Sequence, residues 1–210
     1  MARHAAARVP SALLRHLRVL RPQDAVGTYA HPRPEFARLV RAGALHQLAT
    51  GYYAVVPDDH VGDQWLPALE AAAAGIAAAD EGIAAVALMG LSAARVHGAL
   101  PRAIGVAVVA AGRHRSALHL ADRDATVLFV RRDVTRLDVQ RYPHELGEGW
   151  ITTVEQTVLD LAARPELGGL RDEAEAAART LLLRADAAVL DELATTQRRQ
   201  ATLRRLRTTA

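Results

Sequence analysis

The side chains with most chemistry to offer lie near the amino terminus: Arg15, Arg18, His31, Arg33, Arg38, Arg41, His46, Gln47 and Thr50. A guanidinium presents a rigid fork of N–H donors that matches both phosphate oxygens and the O6/N7 edge of guanine. Histidine, glutamine and threonine add the donors and acceptors that meet a phosphate backbone. All 26 basic residues of the 210-residue chain are arginine, and there is no cysteine. Without lysine there is no Schiff-base or P-loop chemistry; without cysteine there are no disulfides, thiol nucleophiles or iron–sulfur clusters. The charge is also unevenly placed. Residues 1–57 carry eight arginines against Asp24 and Glu35, residues 58–195 carry 13 arginines against 21 acids, and residues 196–210 carry five arginines and no acid. A basic head on an acidic body is the footprint of a polyanion-binding unit joined to a different kind of domain.

Contact with a polyanion requires a scaffold that brings these side chains to one surface. Pro10 and Ser11 open a segment with Leu13, Leu14, Leu17 and Leu20 at helical spacing, which predicts a first helix with Arg15 and Arg18 on its open side. Pro22 to Ala30 predicts a short second helix, and His31-Pro32-Arg33-Pro34 is a stiff break. A third helix then begins at Pro34 with Phe36, Leu39 and Val40 on one face and Arg38 and Arg41 on another, and stops at Gly43. Two alternating strands follow, Ala44 to Leu48 and Tyr52 to Val56, joined by a turn at Ala49-Thr50-Gly51. Three helices and a hairpin predict a winged helix-turn-helix. In that arrangement the third helix enters the major groove of double-stranded DNA with His31, Arg33, Arg38 and Arg41, and the wing brings His46, Gln47 and Thr50 to the backbone. The same scaffold also serves in protein contacts.

The composition breaks at Pro57-Asp58-Asp59, which divides the chain into domains at 1–57 and 58–210. In the second, Asp63 to Asp80 reads as a long helix, Ile83 to Met89 as an apolar strand or helix start, and Ser92 as the N-cap of a short helix. Ile104 to Ala110, Thr126 to Arg131 and Leu137 to Arg141 read as strands, Thr153 as a further N-cap, and helices take over from Gly168. The fold class is therefore α+β, with a small sheet flanked by helices behind the winged helix. Enzymatic patterns are weak. Gly90-Leu91-Ser92 lacks the second glycine of a nucleophile elbow, and Asp122-Arg123-Asp124 lacks the Gly-Ser that precedes a magnesium-binding carboxylate pair. His114 and His119 are spaced for neither one strand face nor one helix face. The expectation is a protein that is not an enzyme and holds no cofactor or metal. The arginines after Thr195 suit a second phosphate contact, a solvated helix or docking on the acidic body. No apolar run approaches the roughly 18 to 20 residues of a spanning helix, so no membrane contact is expected. The acid-free first 21 residues resemble a transit peptide only superficially, because their apolar spacing runs on into a folded segment.

The segment FARLVRAGALHQLATGYYAVVP (36–57) resembles the N-terminal winged helix of the AbiEi-family antitoxins of type IV toxin–antitoxin systems. LMGLSAARVHGAL (88–100) and WITTVEQTVLDLAARPELGG (150–169) resemble two recurring segments of that family's C-terminal region, in the same order. The resemblance implies a cytoplasmic antitoxin that binds operator repeats, represses its own operon and counteracts a nucleotidyltransferase-type toxin. It also implies a C-terminal domain for antitoxicity and self-association, and the matched segments transfer no toxin-contact residue. Because one winged helix reads few base pairs, a homodimer or cooperative pair is expected. The alternative is a winged-helix regulator with no toxin partner, whose C-terminal domain senses a ligand or protein.

Overall fold

Val19 and Leu20 are consecutive apolar residues, and in the computed structural model, which describes residues 8–14 and 17–209, they form a short strand, β1 (Val19–Leu20), instead of the end of a helix. The expected first helix is reduced to a single 3-10 turn at Ser11–Leu13. The reason is burial on both sides. Leu20 packs with Leu13, Phe36 and Leu39, while Val19 packs with Leu48, Ala54 and the body, and only a strand sends neighbouring side chains to opposite faces. The expected second helix is one 3-10 turn, Pro22–Ala25, in which the Asp24 carboxylate accepts the Arg21 N–H at 3.0 Å.

The third helix, α1 (Pro32–Arg41), forms at the expected place, two residues longer at its start because Pro32 fits a first helical turn. It ends before Gly43, whose φ of 71° suits glycine alone. Then come β2 (Leu45–Ala49) and β3 (Tyr52–Val55), and the three strands pair antiparallel in the order β1-β3-β2. One face of this small sheet carries α1. The other shares a continuous core with the rest of the chain, in which Leu17, Val19, Leu48, Ala49, Tyr52 and Ala54 meet the helix α2 (Leu69–Glu81). That helix begins six residues later than the sequence pattern suggests, because Pro67 disfavours helical backbone at Leu66.

The body is built on a six-stranded mixed sheet of β4 (Val86–Leu88), β5 (Val106–Ala111), β6 (Leu118–His119), β7 (Thr126–Arg131), β8 (Val139–His144) and β9 (Gly147–Thr152), ordered β6-β7-β5-β4-β9-β8. Helix α3 (Gly90–Val96) follows β4, and α4 (Val154–Ala163), α5 (Arg171–Leu182), α6 (Ala187–Thr196) and α7 (Gln200–Thr209) follow β9. Alternation along β5 divides the core: Ala107, Val109 and Ala111 face α2, while Val106, Val108 and Ala110 face the helices that come later in the chain. The whole is an α+β fold, with seven α-helices among the described residues. None of these is long and apolar enough to cross a membrane.

The segments 88–100 and 150–169 turn out to be neighbouring strand-to-helix units. β4 and β9 run parallel with Leu88 opposite Ile151, and the His97 Nε2 donates to the Thr152 carbonyl at 2.8 Å. Thr153 caps α4 as expected, accepting the Gln156 N–H. Ser92 does not cap α3. It lies inside the helix, fully buried, and its Oγ accepts the Val108 N–H at 2.8 Å. The arginine-rich end docks on the body: Leu203 and Leu206 are buried, Arg199 reaches Asp160 at 2.9 Å and Arg207 reaches Asp191 at 2.8 Å.

One half-buried group is expected to give the fold a pH dependence. Burial pushes the His144 imidazole below its ordinary value, against an opposing pull from Glu145. Its Nδ1 accepts the Leu146 N–H at 3.2 Å. A histidine lowered in the folded state is protonated preferentially in the unfolded chain, so its contribution is intact above about pH 6.5 and is lost as the pH falls below that value. His144→Gln is expected to flatten the decline in melting temperature between about pH 7.5 and 5.5. Identical slopes for variant and parent would remove His144 as the cause.

Candidate nucleic-acid interface

Helix α1 is held by its apolar side. Phe36 and Leu39 are buried, and the Phe36 ring meets Tyr53 of β3 edge to face, with centroids 5.2 Å apart. On the opposite side Arg33, Ala37 and Arg41 fall at i, i+4 and i+8, with Pro34 and Arg38 beside them, and all five are exposed. Ala37 keeps the middle of this face low, so a partner backbone can approach closely. Arg38 is oriented by Glu35, whose carboxylate accepts from Nε at 3.0 Å and from Nη2 at 2.6 Å. The hydrogen bond from Arg38 holds the Glu35 carboxyl below the usual carboxylate range, against a smaller opposing effect of desolvation. The Arg41 Nε donates to the Ala37 carbonyl at 3.3 Å.

Beyond the first turn of α1 the surface dips into a groove of about 700 Å3 lined by Arg21, Gln23, His31, Arg33, Thr50 and Tyr53, among others. The β2–β3 turn, Thr50-Gly51, forms one wall, and its tightness depends on a φ of 84° at Gly51. The structure therefore brings His31, Arg33 and Thr50 together, with Arg38 and Arg41 farther along the same helix. Gln47 is half-buried in β2 opposite Tyr53. Arg18 is exposed, but its carbonyl accepts the Val55 N–H at the end of the sheet away from the turn. Arg15 lies outside the described residues.

His46 belongs elsewhere. The winged-helix pattern puts it beside a backbone phosphate, and instead its Nε2 donates to Asp122 of the body at 2.8 Å, with the Trp65 ring edge-on to it. Alternation explains this, because His46 points to the face opposite Leu45, and that face is covered by the body. Burial alone would raise the Asp122 carboxyl, but hydrogen bonds from His46 and Arg123 outweigh it and hold the group below its ordinary value. Sequence reasoning misses Arg21 and Gln23, since the expected first helix ends at Leu20 and Pro22 opens the next, which gives neither residue a place on the reading surface. With β1 read as a strand, Arg21 continues it towards the turn. The Arg21 guanidinium pairs with Asp80 and lies over the Tyr52 ring at 5.2 Å.

Three side chains of the weak enzymatic patterns are engaged with other partners. Asp122 is engaged by His46 and Arg123, His119 meets the Thr126 hydroxyl at 2.9 Å, and Ser92 is bound to backbone. Among the described residues no group of three or more His, Cys, Asp or Glu side chains is placed to hold a metal ion.

The fold has a solved counterpart. The crystal structure of the RV2827C protein from Mycobacterium tuberculosis matches 84% of this chain at 20% sequence identity with a TM-score of 0.53. The match covers 66% of that protein's chain, so the present chain spans just under two thirds of its length. At this identity the likeness is one of fold. No protein-family model matches the chain, and no curated protein matches it.

Proposed function

We propose that the N-terminal unit is a winged helix-turn-helix that binds double-stranded DNA, with α1 as the reading helix and the β2–β3 turn as the wing. The observation that carries this reading is the open face of α1, where Arg33, Arg38 and Arg41 stand together on the side of the small sheet away from the body. The order of elements supports it: a helical turn, a strand, a second turn, a full helix and a hairpin. Taken with the three segments that resemble AbiEi-family antitoxins, the chain acts as an AbiEi-type antitoxin that represses its own operon and counteracts a nucleotidyltransferase-type toxin. It does so as a homodimer or cooperative pair, because one such unit covers too few base pairs for operator-level selectivity.

Arg38→Ala combined with Arg41→Ala is expected to weaken operator binding, by roughly 1 to 3 kcal/mol for each guanidinium that reads a base edge. A mobility-shift titration with affinity unchanged removes α1 from the reading role. The antitoxin half is tested by the neighbouring gene: it should encode a nucleotidyltransferase whose toxicity co-expression of this chain relieves.

A further inference from the structure

The body as a whole is acidic, yet Gly112 to Ala121 contains two arginines, two histidines and no acid. This stretch runs along the body-facing side of the N-terminal hairpin. The Asp122 carboxylate meets His46, the Ala121 N–H donates to the Leu48 carbonyl at 2.8 Å, and Arg115 donates to the Tyr52 hydroxyl at 2.9 Å. Tyr52 directly follows the turn Thr50-Gly51, so the Arg115 side chain reaches the first residue after the hairpin turn. Two carboxylates anchor the loop there. Asp80 takes Arg115 at 2.7 Å, together with Arg21 and the Tyr52 hydroxyl, and Glu81 accepts the Gly112 and Arg113 N–H groups at 2.7 and 3.1 Å. Arg21, Arg113 and Arg115 against Asp80 and Glu81 leave one net positive charge. Arg113 and His114 are both exposed.

We propose that this β5–β6 loop is a second contact for duplex DNA, in which Arg113 and His114 meet the phosphate backbone on the body side of the β2–β3 turn. The turn then stands between two donor-bearing elements, the α1 groove on one flank and the loop on the other, and a duplex seated on α1 is gripped by both units. The inference rests on the DNA-binding reading of α1. It goes beyond that reading by recruiting the body, whose overall charge repels a polyanion. Each phosphate neutralised releases condensed counterions, so each contact steepens the salt dependence of binding.

The experiment is a fluorescence-anisotropy titration of the full chain with mixed-sequence duplex DNA of a few helical turns, repeated over a range of salt. Arg113→Gln with His114→Gln is expected to bind about tenfold more weakly at ~0.1 M salt, with a log–log salt slope shallower by about 1 to 2. Both residues are exposed, so the melting temperature should stay at the parent value, and Arg113→Lys, which keeps the charge, should retain the parent slope. Arg171→Ala with Arg179→Ala, both on α5, removes two charges far from the hairpin and should leave binding unchanged. An unchanged slope in the loop variant, or an equal loss in the α5 control, overturns the proposal. Failure of the parent chain to bind the duplex instead overturns the reading of α1 and with it the ground for this inference.

Discussion

Gly75→Val is expected to destabilise the protein by about 3 kcal/mol or more, by forcing the N-terminal unit away from the body. Gly75 lies in the middle of α2, where an exposed glycine would normally cost about 1 kcal/mol relative to alanine. Here the absent side chain is the point. A Cβ at this position would lie 3.2 Å from the Val19 Cβ and 3.3 Å from the Leu17 carbonyl oxygen, and closer still to a Val19 methyl. Neither neighbour yields easily: Val19 is β-branched and paired with Ala54 in the small sheet, and Leu17 contributes backbone. Urea denaturation measures the cost. A double-mutant cycle identifies its source, since Val19→Ala should relieve part of the penalty of Gly75→Ala by about 1 kcal/mol. Strict additivity would mean that the two surfaces do not meet at this point. The functional consequence follows from the same contact, because a unit pushed off α2 no longer holds its hairpin against Arg115 and Asp122.

That shared core also shows what the sequence makes legible. Helix α1 and the β2–β3 hairpin are readable because their periods change cleanly, from Phe36 and Leu39 at helical spacing to alternating Leu45, His46, Gln47 and Leu48, with Gly43 between them. β1 is not. Leu13, Leu17 and Leu20 mimic one helical stripe, yet they are buried from different elements, and nothing local tells a stripe from a strand packed on both faces. The site inherits that error. The expected first helix puts Arg18 on the arginine face and stops at Leu20, before Arg21, whereas the structure places Arg21 beside the groove and Arg18 at the far end of the sheet. The His46 assignment fails for a different reason: alternation shows that a residue faces away from Leu45, but only the tertiary structure shows that the body covers that side. β9 escapes notice because Gly147 and Gly149 interrupt an otherwise alternating run, although Leu146, Ile151 and Thr152 are all buried.

The second large effect is expected at Arg95, within the segment 88–100. Its guanidinium holds Glu70, in the first turn of α2, through two bonds of 2.5 Å. The two partners are unequally placed, since the Glu70 side chain is 1% exposed and that of Arg95 is 30% exposed. Hydrogen bonding to Glu70 raises the Arg95 guanidinium further above its ordinary value, against the opposing effect of partial burial. Arg95→Met strands a carboxylate in the core and should cost about 3 to 5 kcal/mol. Glu70→Gln leaves a cation that reaches solvent and keeps one acceptor, so its cost should be clearly smaller. Replacing both, with Glu70→Gln and Arg95→Met, should recover much of the loss, because no unpaired charge is left buried. Chemical denaturation of the three variants gives the ranking. If Arg95→Met proved no worse than Glu70→Gln, desolvation of Glu70 would not be the dominant cost. Arg95 would then have to be explained by what its exposed edge meets outside the chain, and the segment would become a candidate partner surface in place of a structural joint between α2 and α3.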